Sequence, residues 1–162
     1  MRRDTVSVLI NNFNYARFLA QSIDSGLAQT YPHTEVVVVD DASHDGSAAL
    51  IHGYGDRVVP VLQDRNGGQG AAVNAGFARS RGDIVIFLDA DDYLYPHAAE
   101  RVVASWRGGL GKLQYRLDLV DVAGEKLDLY PAPSATTTFP FATHEWASQW
   151  PSEEVWKARK RG

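Results

Sequence analysis

Apolar runs and amphipathic stretches alternate along the first two thirds of the chain. Short runs rich in valine and isoleucine are typical of strands that a parallel sheet buries on both faces, whereas apolar residues three or four positions apart indicate helices. The patterns predict strands at residues 6–10, 35–39, 58–62 and 84–88. A helix is predicted after each strand, at residues 15–29, 43–52, 71–80 and 96–106. This order predicts an α/β fold with a mainly parallel sheet covered by helices.

Local signals refine three of these elements. Asn14 is the predicted N-cap of the first helix, and Pro96 is predicted in the first turn of the last one, where proline is well tolerated. Pro60 cannot donate a ladder hydrogen bond, so the strand that contains it is predicted to be broken or to lie at an edge of the sheet.

The pattern changes after residue 109. Alternating residues at 112–122 and a return strand at 126–130 predict an antiparallel hairpin. Proline, alanine, serine and threonine then dominate as far as Pro140, which is typical of a linker. We therefore predict one domain over residues 1–130 and a linker with a C-terminal tail over residues 131–162.

Composition and charge exclude several classes of function. The chain has 162 residues, of which 44% are hydrophobic, as in a globular protein with one core. A formal net charge of −4 argues against a general nucleic-acid binder. The sequence has no cysteine, no signal-peptide pattern and no apolar run near the about 20 residues that span a bilayer. These features predict a cytoplasmic protein, and they leave peripheral association with the inner face of the membrane open.

Polar side chains follow three of the predicted strands. The first strand is followed by Asn11-Asn12, the second by Asp40-Asp41, and the fourth by Asp89-Ala90-Asp91-Asp92. Ligands of open α/β sheets bind outside the carboxyl ends of the strands, so these ends predict one shared site. Asp-x-Asp in an extended segment turns two carboxylates to the same side, and such oxygens suit Mg²⁺ or Mn²⁺ bound to phosphate. Taken alone, the acidic run is equally consistent with a solvated turn.

Five motifs in a fixed order carry a family resemblance, at residues 6–14, 29–32, 38–47, 66–76 and 82–96. With them the first 106 residues resemble the nucleotide-sugar-binding part of a family-2 inverting glycosyltransferase. The resemblance implies a GT-A fold, which is a Rossmann-like three-layer α/β/α arrangement, and an apparently truncated chain. It also implies metal-assisted transfer of a sugar, with inversion, from a nucleoside diphosphate to an acceptor hydroxyl.

Roles for individual residues follow from the same resemblance. Asn11 and Phe13 match the positions that contact the base, with the ring of Phe13 stacked on it, although a core anchor for the next helix is an alternative for Phe13. Asp41 matches the carboxylate that accepts a hydrogen bond from a pyrimidine N–H. The resemblance makes a UDP-sugar the predicted donor and leaves thymidine and guanosine nucleotides open. Asp89 matches the acid near the ribose and the metal, and Asp91 the metal ligand that bridges to the diphosphate. Mn²⁺ or Mg²⁺ is the implied cofactor.

The catalytic base is not identified by these motifs. Glu145 is a weak candidate because its surroundings resemble a Glu-Asp-Trp motif, but it follows Asp89 sooner than the family pattern requires. A non-catalytic nucleotide-sugar-binding module, or an inactive fragment of the same fold, is therefore the alternative. The glycine-rich loop at residues 66–70 is interpreted either as a phosphate contact or as a flexible connection. A carbohydrate or lipid-linked acceptor and a homo-oligomer are left open.

Overall fold

Four parallel strands form the sheet of the computed structural model, which describes residues 4–106, 111–113, 121 and 125. The spatial order β3-β2-β1-β4 places the strand with Pro60 at an edge of the described sheet, as predicted. β1 pairs with β2 and β4, and β2 pairs with β3, always in parallel. The strands are β1 (Val6–Asn12), β2 (Thr34–Asp40), β3 (Val59–Leu62) and β4 (Ile84–Asp89).

Helices cover both faces of this sheet and give the predicted three layers. They are α1 (Ala16–Leu27), α2 (Ser47–Gly53), α3 (Gln69–Arg79) and α4 (Ala98–Ser105), with a 3₁₀ turn at Gly55–Arg57. α3 packs on one face against a small apolar cluster, whereas α1, α2 and α4 pack against the larger cluster on the other. Among the described helices, none has the length and apolar character needed to cross a bilayer.

Burial on both faces explains the valine run of β2. Residues 36–39 are all valine and are at most 3% exposed. Alternate valines contact opposite helical layers, because successive side chains of a strand point to opposite faces. A strand covered on both sides therefore has a continuous apolar run and ends where polar residues begin.

The structure corrects the predicted starts of all four helices. α2 begins at Ser47 rather than at residue 43, and α3 begins at Gln69 rather than at residue 71. Asn14 does not cap α1: it adopts a left-handed conformation with φ 57°, and the Ala16 N–H is bound instead by the carboxylate of Asp45 at 2.8 Å. α4 begins at Ala98, so Pro96 precedes the helix rather than occupying its first turn. The carbonyl of Pro96 accepts a hydrogen bond from the Thr30 N–H at 2.9 Å, which fixes the turn before the helix.

Two predictions lie outside the described residues. The hairpin at residues 112–130 falls there apart from residues 112, 113, 121 and 125, and the tail at residues 131–162 falls there completely. The boundary between a domain and a tail near residue 130 therefore stays a prediction.

Gly76 lets α3 lie close to the sheet. A Cβ atom at this position would stand 2.6 Å from Val39 Cγ2 and 2.9 Å from Leu9 Cδ1, closer than real Cβ contacts. Both neighbours are fully buried, so neither can move aside freely. This close packing fixes the height of α3 above the carboxyl ends of β1 and β2.

A hydrogen-bonded cluster ties together the amino ends of three strands. The Ser7 hydroxyl donates to the Glu35 carboxylate at 2.6 Å and accepts from the Gly82 N–H at 2.8 Å. Arg81 donates to the same carboxylate from its backbone N–H and, at 3.2 Å, from its guanidinium. Burial acts to raise the pKa of Glu35, but these hydrogen bonds outweigh it, and the pKa is lowered.

We expect Gly76→Ala to destabilise the protein by about 1–3 kcal/mol, because the added methyl group overpacks a closed interface. Gly53→Ala is the matched control, since a Cβ there meets nothing within 4 Å. It should change stability by less than about 1 kcal/mol, in the favourable direction that alanine brings to a helix. Urea unfolding followed by circular dichroism measures both. Equal effects of the two substitutions would contradict the close approach.

We expect Glu35→Gln to lower the free energy of unfolding by about 1–2 kcal/mol at pH 7. A carboxylate whose pKa is lower in the folded state stabilises the fold above the unfolded pKa, and this contribution is lost as the pH falls through the folded pKa. The difference between mutant and wild type should therefore shrink as the pH falls from 7 through the ordinary carboxyl pKa of 4.5 and below it.

Urea unfolding across that pH range measures the Glu35 effect. Glu100→Gln is the control, because the Glu100 side chain is 61% exposed and exposed ion pairs contribute little. A Glu35→Gln effect that does not depend on pH would show that the charge of Glu35 adds no stability.

Candidate functional site

The carboxyl ends of β1 and β2 and the start of α3 enclose a cleft of about 340 Å³. Residues 11–13 line it from the end of β1, and Asp41 lines it from the segment after β2. Gly68 and Gln69 close the side formed by the start of α3. The structure therefore brings three of the predicted site residues, Asn11, Phe13 and Asp41, to one cavity.

Asp41 fixes the glycine-rich loop that leads into α3. Its side chain is buried, and its two carboxylate oxygens accept hydrogen bonds from the N–H groups of Gly67 and Gly68, both at 2.8 Å. Gly68 has φ 81°, a conformation that favours glycine. These contacts fix the loop, in contrast to the interpretation as a flexible connection, and a direct contact with phosphate stays a prediction. Each carboxylate oxygen has a second lone pair, so Asp41 can still accept a bond from a ligand.

Asp40 serves the scaffold, in agreement with the alternation of side chains along a strand. One of its carboxylate oxygens accepts a hydrogen bond from the Asn12 amide at 2.7 Å, and the other accepts the Ser43 N–H at 3.1 Å. Both Asp40 and Asn12 are buried. Their pairing joins the end of β1 to the end of β2, because Asn12 and Asp40 are register partners.

Phe13 lies at the mouth of the cleft with 41% of its surface exposed. The alternative of a core anchor is therefore wrong, because a core side chain at this position would be buried. Asn11, one residue before the buried Asn12, is partly buried and lines the same cleft. An exposed aromatic ring beside polar groups can stack on a planar ligand, which is the chemistry that a nucleobase requires.

The acidic segment after β4 forms a turn next to this cleft. The Asp92 N–H donates to the Asp89 carbonyl at 3.0 Å, and Asp89, Asp91 and Asp92 are all exposed. The Gln69 amide donates to the Asp89 carboxylate at 3.1 Å and so connects the turn with the start of α3. Desolvation, together with the charges of Asp91 and Asp89, raises the pKa of Asp92.

The chemistry of the acidic turn is compatible with a cation that arrives with its ligand. Within the part of the chain that the structure describes, no three His, Cys, Asp or Glu side chains converge as metal ligands. Mg²⁺ is commonly held by one or two carboxylates together with the phosphates of a substrate, and it keeps several waters. Asp89 and Asp91 fit that arrangement. The described residues do not supply the three or more ligands of a metal site built from protein side chains alone.

Several residues of the site escaped the sequence analysis. Gln69 contacts Asp89 from a helix start, and its position directly after two glycines was the available signal. Asn12 was predicted only as part of a polar strand end; it is a buried amide whose oxygen has no hydrogen-bond partner among the described residues. The weak catalytic candidate Glu145 lies outside the described residues.

Comparisons with known proteins agree with this architecture. The sequence model described as "Glycosyl transferase family 2" matches residues 7–111. An uncharacterized glycosyltransferase from Nostoc sp. is 39% identical over 148 residues, which cover 88% of this chain and 44% of the relative. The chain thus spans less than half of the length of that relative.

Two solved structures share the fold. TarS 1-349 of S. aureus in complex with UDP has a TM-score of 0.58 and 28% identity, over 62% of this chain and 31% of that chain. The mannosyltransferase PcManGT from Pyrobaculum calidifontis, in complex with GDP-Man and Mn²⁺, has a TM-score of 0.53 and 30% identity, over 57% of this chain and 29% of that chain. The predicted GT-A fold is confirmed, and the chain belongs to the family-2 glycosyltransferases.

Proposed function

We propose that this chain contains the donor-binding part of an enzyme that transfers a sugar, with inversion, from a nucleoside diphosphate to an acceptor hydroxyl. One observation carries the proposal: the cleft that holds Phe13 and Asp41 is joined through Gln69 to the acidic turn at Asp89. A surface for a planar base and carboxylates for a diphosphate-bound cation therefore lie side by side.

The base is bound at the end of β1 in this proposal. The exposed ring of Phe13 stacks on it, Asn11 contacts it from the same strand end, and Asp41 accepts a hydrogen bond from a ring N–H. We propose uridine as the base. The similar TarS is described in complex with UDP, whereas PcManGT is described with GDP-Man, so guanosine is the comparison that the binding experiment needs.

The diphosphate lies near the acidic turn, with Mn²⁺ or Mg²⁺ held by Asp89 and Asp91. The complex of PcManGT with GDP-Man and Mn²⁺ supports a divalent cation. When bound, such an ion stabilises the negative charge that develops on the leaving diphosphate. The chain's own contribution is to orient the carboxylates: Gln69 donates to Asp89 and limits its rotation before the ligand arrives.

Transfer also requires a base that removes the proton from the acceptor hydroxyl. Glu145 stays the weak candidate for this role. The alternative is a non-catalytic module of the same fold, which would bind the donor and release it unchanged. A carbohydrate or lipid-linked acceptor, a homo-oligomer, and a cytoplasmic location at the inner face of the membrane stay predictions of the sequence.

We expect UDP to bind in the presence of Mn²⁺ and to lose about tenfold or more in affinity in Asp91→Asn, because the amide is a weaker ligand for the cation. Isothermal calorimetry with UDP, dTDP and GDP, with and without Mn²⁺, measures the change and identifies the base. Asp56→Asn is the control, since Asp56 is an exposed aspartate in the 3₁₀ turn. Folded wild-type protein that binds no nucleotide would overturn the proposal.

Phe13→Leu should weaken UDP binding by about tenfold or more, because stacking on an aromatic ring contributes about 1–3 kcal/mol per base. Phe13→Tyr keeps the ring and should bind nearly as tightly as wild type. Pyrophosphate with Mn²⁺ has no base, so its affinity should be the same in all three proteins. Calorimetry with both ligands separates a stacking role from a general disturbance of the cleft, which would weaken both.

A further inference from the structure

We propose that residues 42–46, the loop between β2 and α2, form a clamp that positions Phe13 for stacking. The inference rests on the proposed function, because it assigns positioning residues to the same nucleotide site. The clamp does not line the cleft through its own side chains; it acts on the two residues that flank Phe13 and on the first turn of α1. Ser43 and Asp45 are the positioning residues.

Ser43 holds both neighbours of Phe13. Its hydroxyl oxygen accepts a hydrogen bond from the Asn14 N–H at 2.9 Å and another from the Asn12 amide at 3.1 Å. Asn12 precedes Phe13 and Asn14 follows it, so one hydroxyl oxygen fixes the chain on each side of the ring. The Ser43 N–H donates in turn to the buried carboxylate of Asp40 at 3.1 Å, which anchors the serine itself.

A second set of contacts continues the clamp into α1. The His44 N–H donates to the Asn14 side-chain oxygen at 2.8 Å, and the Asp45 carboxylate accepts the Ala16 N–H at 2.8 Å. The other oxygen of Asp45 accepts from the Ser47 N–H and hydroxyl at 3.1 and 2.6 Å. Burial acts to raise the pKa of Asp45, but the hydrogen bonds from Ser47 and Ala16 lower it, so the carboxylate is ionised at neutral pH.

Backbone strain is stored beside these contacts. Asn14 has φ 57° and Ala42 has φ 60°, the two positive values among the described residues other than glycine. A left-handed conformation is unfavourable for alanine, and such residues persist where the surrounding contacts determine the backbone. Asparagine adopts this conformation more readily than alanine does, so Ala42 is the strained residue. The hydrogen bonds of Ser43, which directly follows Ala42, hold the backbone at that point.

The exposure of Phe13 explains why a clamp is needed. With 41% of its surface exposed, the ring has too little packing of its own to fix its position. A ring that is oriented before the ligand arrives binds with a smaller loss of conformational entropy. The hydrogen bonds of Ser43 and Asp45 hold the Asn12 side chain and the backbone N–H groups of Asn14 and Ala16, and thereby the direction in which the ring leaves the chain.

A double-mutant cycle with UDP and Mn²⁺ on the full chain tests the inference by calorimetry. Ser43→Ala should weaken binding about three- to tenfold, and Ser43→Thr, which keeps the hydroxyl, should restore it. In a Phe13→Leu background, Ser43→Ala should change the affinity by less than about twofold, because the clamp has no ring to position. Asp45→Asn should follow the same pattern, since an amide is a weaker acceptor for the Ala16 N–H.

Two control variants remove a hydroxyl group and a carboxylate charge at positions outside the clamp. Ser80→Ala deletes a buried hydroxyl that bonds to Phe77 beyond the last turn of α3, and Asp24→Asn neutralises an exposed aspartate on α1. Both should bind UDP like wild type. Equal losses from Ser43→Ala with and without the Phe13 ring would overturn the inference, because a general structural role predicts that result.

Hydrogen exchange of the free protein gives an independent measurement. The amide of Asn14 belongs to an exposed residue and is held by Ser43, so its protection should be lost in Ser43→Ala and kept in Ser80→Ala. Unchanged protection would overturn the clamp while leaving the donor site intact. A wild-type chain that binds no nucleotide would overturn the proposed function, and this role of the clamp with it.

Discussion

Two adjacent carboxylates at the end of β2 organise the whole carboxyl edge of the sheet. Asp40 and Asp41 are 3% and 2% exposed, and a buried charge is tolerated only when hydrogen bonds satisfy it. Asp40 binds Asn12 and the Ser43 N–H, and Asp41 binds two glycine N–H groups. Consecutive residues of an extended segment point in opposite directions. Asp40 therefore holds the end of β1 on one side, and Asp41 holds the start of α3 on the other.

The two edges of the sheet have different roles: the amino edge joins the strands, and the carboxyl edge carries the cleft. At the amino edge, Ser7, Glu35 and Arg81 form contacts that join β1 and β2 to the segment before β4. At the carboxyl edge the same kinds of groups hold loops and leave a cavity open. Parallel strands explain the division, since every strand delivers its following loop to the same edge. Substitutions at the amino edge can therefore change stability without altering a residue that lines the cleft.

The periodicity of apolar residues was enough to predict the four strands, the helices that follow them and a mainly parallel sheet, whereas the three layers were implied by the family resemblance. It did not give the exact starts of the helices, which depend in part on contacts distant in sequence: at the start of α1, Asp45 binds the Ala16 N–H across 29 residues. The family motifs predicted Asn11, Phe13 and Asp41 as site residues, and in the structure all three line one cleft. Gln69 could not be found in the same way, because its contact with Asp89 exists only after α3 is placed on the sheet.

Pro60 in β3 has a consequence for the behaviour of the protein at high concentration. An edge strand offers a row of unpaired backbone groups, on which another chain can extend the sheet and begin an aggregate. β3 lies at an edge of the described sheet, and its proline removes one N–H donor from a strand of four residues. A second molecule that approaches this edge finds only a short row of backbone hydrogen-bonding groups, and the proline leaves a gap in that row. The residue that weakens the strand thus also protects the exposed edge against association between copies.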